Sequence, residues 1–300
     1  MIISASRRTD IPAFYAPWLL QRLREGYCEV ANPFNPRQVS RIPLTPEAVD
    51  VLVFWTRNAA PLLPHLAELD ARGYRYYFQY TLTGYGRVFE PGAPEIDSAI
   101  NTIHRLADRI GPSRVCWRYD PIVLANVMPP AYHLAQFARL ADALQGAVDR
   151  VTISVMDAYR AGMRRLAQLQ SCGIAMQQPA VDEPIIQALL RGIADIAHQQ
   201  KMPIYACAEP VDLAPLGILP GKCIDATYMH RVFGLTVSSR KDTSQRGACG
   251  CVQSKDIGAY DTCQHGCLYC YATKNFQRAA ENYTRHQADA PALLLLAEGK

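Results

Sequence analysis

The chain has 300 residues, of which 49% are apolar and 19% charged, and a formal net charge of +4. That length and apolar share can bury a full core in one large α/β domain and exclude a disordered chain. The charge is small and its basic residues are scattered, so composition supports no nucleic-acid partner, and no apolar run reaches membrane-spanning length.

The opening stretch from Met1 to Arg8 is too short in apolar residues for a secretory signal, and the expected location is cytoplasmic. In chain order, runs rich in β-branched and aromatic residues alternate with stretches of helical period, the pattern of βαβ units around a parallel sheet. A strand at 2–6 is followed by a helix at 16–25. Segment 29–44, with Asn32-Pro33-Phe34-Asn35-Pro36, is punctuated by proline and reads as a loop or small hairpin before the strand at 51–56. Next come a helix at 60–72, a strand at 75–82, a helix at 95–110 and a strand at 115–119. A helix at 131–144, a strand at 151–155, helices at 158–169 and 185–199 and a sixth strand at 203–208 complete the regular part; 173–179 reads as an extra strand or a loop. Beyond it, 213–221 is turn-rich, 223–233 is helical and 236–259 is polar. The expected fold is α/β: a partial or complete (β/α) TIM-like barrel over 1–210, with a cysteine-rich, metal-binding tail over 211–300 folded onto the barrel mouth.

Ten cysteines in a reducing compartment point to metal ligation before disulfides. Cys28, Cys116 and Cys172 stand alone among apolar neighbours and read as small buried hydrophobes. The other seven fall in the last third of the chain. Cys263, Cys267 and Cys270 have the spacing C-x3-C-x2-C, which supplies three thiolates and no fourth. A [4Fe-4S] cluster held by three thiolates keeps one iron open for another ligand. The competing reading is structural zinc, which needs four ligands and could recruit His265. Cys207, Cys223, Cys249 and Cys251 form a second candidate set, enough to close the shell of an auxiliary [4Fe-4S] cluster or of a zinc ion. In the plainer alternative, Cys207 and Cys223 are core residues and only the Cys249/Cys251 pair binds anything.

In a parallel β/α barrel, functional groups gather where strands end. The predicted strand ends carry Arg7, Arg8 and Asp10, then Arg57, then Arg118 and Asp120, and finally Glu209, which together form the candidate catalytic set. Gln79, Ser154 and Asp157, with Tyr269 from the cysteine run, are the candidate cofactor-binding residues. Arginines at such a mouth can bind a carboxylate or phosphate, and the carboxylates can orient an ammonium or ribose hydroxyls. The same side chains can instead pair with one another as a salt-bridge network. Gly84-Tyr85-Gly86 lacks the rest of a phosphate fingerprint and reads as a turn. No histidine spacing suggests a zinc protease, and no nucleophile elbow is present.

Several motifs together carry a resemblance. These are Ser6-Arg7-Arg8-Thr9-Asp10-Ile11-Pro12, Asn32-Pro33-Phe34, Val53-Phe54-Trp55-Thr56, Trp117-Arg118-Tyr119-Asp120-Pro121-Ile122 and Asp256-Ile257-Gly258. With Cys263-Gln264-His265-Gly266-Cys267-Leu268-Tyr269-Cys270-Tyr271-Ala272, the chain resembles, over nearly its full length, the uncharacterised bacterial family called domain of unknown function 1848. That family's C-terminal cysteine cluster is similar to the N-terminal one of radical S-adenosylmethionine enzymes, whose pattern C-x3-C-x-(aromatic)-C is matched here with Tyr269 as the aromatic. The resemblance implies a [4Fe-4S] cluster, S-adenosylmethionine, a low-potential electron donor and an unnamed small-molecule or macromolecular substrate. Such enzymes cleave the cofactor's sulfonium bond reductively and use the resulting carbon radical to abstract hydrogen. Their partial (β/α)6 barrel carries the cluster loop after the first strand, and a tail leaving the sixth strand is expected to reach the same face. The alternative is a non-radical iron-sulfur or zinc protein that binds an anionic ligand in the barrel mouth.

Overall fold

The computed structural model describes residues 1–294; the end of the expected tail, 295–300, lies outside the described residues. The six apolar runs form strands, and helices separate them. The first half contains β1 (Ile2–Ala5), α1 (Ile11–Phe14), α2 (Ala16–Glu25), β2 (Tyr27–Asn32), β3 (Asn35–Pro43), β4 (Val51–Thr56), α3 (Leu66–Ala71), β5 (Tyr76–Thr81) and α4 (Ile96–Ile110). Next are β6 (Val115–Ile122), β7 (Leu124–Ala125), α5 (Pro130–Ala143), β8 (Arg150–Val155), α6 (Arg160–Ala167), β9 (Met176–Gln177), α7 (Pro184–Gln199) and β10 (Ile204–Cys207). The C-terminal part adds β11 (Leu219–Gly221), α8 (Ala226–Phe233), β12 (Lys255–Asp256) and α9 (Phe276–Arg285).

Segment 29–44 is a hairpin, β2 paired antiparallel with β3, and 173–179 holds the short strand β9, paired with β7. The helix expected over 60–72 is shortened to Leu66–Ala71 behind a 3-10 turn at Leu63–His65. Pro61 and Pro64 account for this, since proline removes a backbone donor and obstructs the preceding turn.

Eight strands form one sheet in the order β11-β10-β8-β6-β5-β4-β1-β12, and its pairs run parallel. Two of them, β11 and β12, were not expected: each is only two or three residues long, too short to show a period. They are the two edges of the sheet, which is therefore open and not a closed barrel. Both edges come from residues after 210. From β1 to β11 the order never turns back, unlike a doubly wound sheet with its reversal point.

Successive side chains of a strand point to opposite faces, and a parallel sheet has both faces covered. Leu52, Phe54, Phe78, Trp117 and Ile153 pack into the large core with helix residues such as Trp18, Ile103, Phe137 and Ile193. The alternate residues Val51, Val53, Tyr77 and Cys116 pack on the other side against Ile224, Tyr228, Met229 and Val252. The segment after β11 thus forms a layer over one face of the sheet as well as reaching the strand ends. Among the described residues no helix is long and apolar enough to cross a membrane.

Candidate functional site

The carboxyl ends of the strands open into one cavity of about 340 Å³, a size typical of small-molecule sites (roughly 300–1,000 Å³). Its walls include Arg7, Arg8 and Asp10 after β1, Trp55 and Arg57 at β4, Arg118 and Asp120 of β6, and Ser154 and Asp157 at β8. All seven cysteines of the last third line the same cavity, as does Tyr269. Gln79 and Glu209 do not line it. Gln79 Nε2 donates to the Cys223 carbonyl at 2.9 Å, beside the Tyr77 hydroxyl on the same oxygen at 2.7 Å. Glu209 accepts from the Val155 amide at 2.8 Å, and burial pushes its carboxyl up to about 7.

The loop carrying Cys263, Cys267 and Cys270 is pinned to the strand-end loops by its backbone. Gly92 donates its N–H to the His265 carbonyl at 2.8 Å, and the Leu268 N–H donates to the Phe89 carbonyl at 2.9 Å. From α6, Arg165 donates to the carbonyls of Leu268 at 2.8 Å, Thr273 at 2.7 Å and also Cys270. Two glycines allow this approach: a Cβ at Gly92 would lie 2.8 Å from the Gln264 carbonyl oxygen, and one at Gly162 2.8 Å from that of Tyr269. Burial raises the thiols of Cys263 and Cys267, the latter to about 12, and each of the three sulfurs lies near enough to influence its neighbours.

His265 is not free to join them. Its Nε2 meets Asp10 Oδ2 at 2.8 Å and its Nδ1 meets the Gly92 carbonyl at 3.0 Å. Asp10 also accepts from Thr56 Oγ1 at 2.8 Å, from the Arg57 amide at 2.7 Å and, as the N-cap of α1, from the Ala13 amide at 2.9 Å. This carboxylate is a knot joining β1, β4, α1 and the cysteine loop.

The expected arginine network forms in part, with different partners. Arg118 pairs with Asp120, which accepts from Ser154 Oγ at 2.6 Å. Arg246, not singled out in the sequence, pairs with Asp157. Arg57 pairs with Glu90 at 3.0 Å, and the Tyr269 hydroxyl bridges both, accepting from Arg57 and donating to Glu90. Arg8 reaches the Gly258 carbonyl at 3.5 Å and stacks on Tyr260. Arg7 differs: its guanidinium lies over Trp55, and Nη2 is buried without a hydrogen-bond partner, as is Trp55 Nε1. Not singled out for the site in the sequence were Glu90, in a loop without periodicity, and Asp256, noted only as part of the Asp256-Ile257-Gly258 motif. Asp256 accepts from Ser4 Oγ at 3.0 Å, Ser6 Oγ at 2.5 Å and the Arg7 amide at 2.9 Å.

Cys207, Cys223, Cys249 and Cys251 come together on the far wall. The Sγ atoms of Cys207 and Cys223 are 3.4 Å apart, and Cys251 lies beside both Cys223 and Cys249. Sharing a thiol proton between Cys207 and Cys223 pushes the Cys223 thiol up and pulls the Cys207 thiol down. Of the three cysteines set aside as core residues, Cys28 and Cys116 are buried, but Cys172 is exposed, a correction. It ends a turn-like 3-10 stretch, Gln168–Cys172, with no buried residue. Among the described residues, no three or more His, Cys, Asp or Glu side chains are arranged so that they could hold a metal ion as they stand.

With this geometry in hand, the family match is informative about extent. The family model described as Domain of unknown function (DUF1848) matches residues 2–272. The chain belongs to this family. The match takes in the sheet from β1 to β12 and ends just after the cysteine loop, so the DUF1848 unit includes both cysteine sets. No curated protein and no solved structure matches the chain.

Proposed function

We propose that this DUF1848 protein is an iron-sulfur enzyme of the radical S-adenosylmethionine type, acting on a substrate bound at the strand ends. The observation that carries the reading is a set of three soft ligands facing a small-molecule cavity while His265, which lies between them in sequence, is engaged by Asp10 and Gly92. Cys263, Cys267 and Cys270 would hold a [4Fe-4S] cluster, and three thiolates suit a cluster that keeps one iron for an exogenous ligand. The thiols would have to turn and lose their protons for this, since they do not stand as a finished shell. Cluster and cofactor together would supply reductive sulfonium cleavage and a carbon radical.

The chain's own residues do the rest. The Arg165 and Gly92 contacts fix the loop backbone, so the three cysteines stay on the cavity wall while their side chains turn. Arg7 Nη2 and Trp55 Nε1 are donors without protein partners and are free to orient a carboxylate or hydroxyl. On this reading the open, one-way sheet serves as a partial barrel, and the protein needs a low-potential electron donor. The test is anaerobic reconstitution with iron and sulfide, then electron paramagnetic resonance of the reduced protein with and without S-adenosylmethionine. A change in the cluster signal and formation of 5′-deoxyadenosine are expected. A reduced cluster indifferent to the cofactor, with no cleavage, would replace this reading with a non-radical protein that binds an anion in the same cavity.

A further inference from the structure

The two cysteine sets are spaced differently. In the quartet the Cys207 and Cys223 sulfurs are 3.4 Å apart, and Cys251 neighbours both Cys223 and Cys249. Among the described residues no such sulfur–sulfur contact links Cys263, Cys267 and Cys270. Four thiolates around one tetrahedral ion, with metal–sulfur bonds of about 2.3 Å, place their sulfurs about 3.8 Å apart. An iron-sulfur cube puts each ligand on its own iron and holds the sulfurs farther apart. The Cys207–Cys223 pair is near the single-ion spacing, and the other two side chains must turn to complete a shell.

Its surroundings suit the same ion. A divalent cation with four thiolates carries two excess negative charges. Arg118 Nη1 stands 2.6 Å from Cys223 Sγ, and Arg7 lies close enough to Cys251 and Cys223 for their charges to act on it, with Nη2 buried and unpartnered. Two cations thus face the thiolates, Arg118 while also paired with Asp120 and Arg7 with Asp256 nearby. The Ile224 N–H points at Cys251 Sγ at 3.4 Å, and the apolar layer of Ile224, Tyr228, Met229 and Val252 packs against the quartet on the side away from the cavity.

We propose that Cys207, Cys223, Cys249 and Cys251 bind one zinc ion in a closed, structural site that is independent of the triplet. Each thiol gives up its proton to solvent as the ion enters, and the ends of the chain of contacts, Cys207 and Cys249, turn inward to complete the shell. The ion ties β10, β11 and the layer over the sheet together and stiffens one wall of the cavity. With four protein ligands it offers no position to substrate.

The test uses the full-length chain with Cys263→Ala, Cys267→Ala and Cys270→Ala, so that failure of the radical reading leaves it unaffected. Reduced and anaerobic, this protein is titrated with zinc alone. The expected result is one zinc per chain, with residues 207, 223, 249 and 251 protected from iodoacetamide and a tetrahedral thiolate absorption after cobalt replaces zinc. Cys223→Ser should lower zinc affinity at least a hundredfold. If the triple variant does not fold, labelling of the wild-type chain with zinc, but no iron or sulfide, decides in the same way. No stoichiometric zinc, an oxidised Cys207–Cys223 pair in place of metal, or iron and sulfide retained by the quartet would each overturn the proposal.

Discussion

Replacing Gly162 by alanine isolates the docking of the cysteine loop. Gly162 lies inside α6, where alanine ordinarily stabilises a helix by about 0.5–1 kcal/mol. Here the added Cβ would sit 2.8 Å from the Tyr269 carbonyl oxygen, 3.1 Å from its carbon and 3.2 Å from its Cα. Favourable contact lies near 3.5 Å, so the loop or the helix must retreat by roughly half an ångström. The obstacle is backbone and cannot rotate away. Overpacking of this kind costs about 1–3 kcal/mol, which leaves a net loss of about 0–2.5 kcal/mol after the helix gain. The Cβ of Gly247→Ala would meet nothing within 4 Å, so that variant is the control and should shift stability by less than about 0.5 kcal/mol. Urea denaturation gives the energies, and iodoacetamide labelling of Cys267, which is 7% exposed, reports loosening of the loop. A Gly162→Ala protein that gains stability and keeps Cys267 protected would refute the claim that the loop rests on α6.

Three other variants probe the site and its support. Tyr269→Phe removes the hydroxyl shared by Arg57 and Glu90 and should cost about 1.5–3 kcal/mol in urea denaturation, the range for hydrogen bonds to charged groups. Glu90→Gln leaves the Arg57 guanidinium buried beside a neutral partner and should cost more, about 3–5 kcal/mol; an effect below that of Tyr269→Phe would contradict the pairing. His265→Asn should leave the electron paramagnetic resonance of a reconstituted cluster unchanged while Cys267→Ala abolishes it, and loss of signal in the histidine variant would make it a ligand. His133 is fully buried, receives the Tyr119 hydroxyl on Nδ1 and donates from Nε2 to the Val123 carbonyl, and burial lowers it to about 4. A lowered histidine gives its full stability above about pH 6.5 and loses it as pH falls toward 4, so about 2 kcal/mol should disappear between pH 7.5 and pH 5. His133→Gln should lack that component of the urea-denaturation pH profile, and an unchanged profile would refute the assignment.

What the sequence disclosed follows from where physical signals are strong. Strands buried on both faces, such as β4 and β5, read as continuous apolar runs, and α4 shows its helical period over fifteen residues. The spacing of Cys263, Cys267 and Cys270 is local, so it was legible at once. The convergence of Cys207 with Cys251 was only a count of thiols until the sheet brought the two segments together. Asp10 illustrates the opposite failure: as an acidic residue at a strand end it reads as catalytic, yet its acceptor positions are taken up by Ala13, Thr56, Arg57 and His265. Residue type and position cannot distinguish a carboxylate that meets a ligand from one that ties a loop down. Glu90 and Asp256 were not assigned to the site for a related reason, since the partners that tie them to distant segments, Tyr269 for Glu90 and Ser4 and Ser6 for Asp256, are 179 and about 250 residues away.

Strand β12 resolves how a cysteine loop near the chain's end reaches the strand ends. The expected route was a tail leaving the sixth strand. Instead, the chain after β11 crosses one face of the sheet and enters it again beside β1, parallel to it, with Ile3 opposite Lys255 and Ser4 opposite Asp256. A strand parallel to β1 delivers its following loop to the same end as β1 delivers Arg7 and Arg8. Asp256 closes this junction by accepting from Ser4, Ser6 and the Arg7 amide, and the Ile257 amide continues it to the Ser4 carbonyl at 3.0 Å. Two residues of polar strand are enough because side-chain hydrogen bonds replace the missing apolar period. A loop attached to an edge strand next to β1 and a loop attached to β1 itself start from neighbouring points, so late position in the chain does not carry the cysteines away from the cavity.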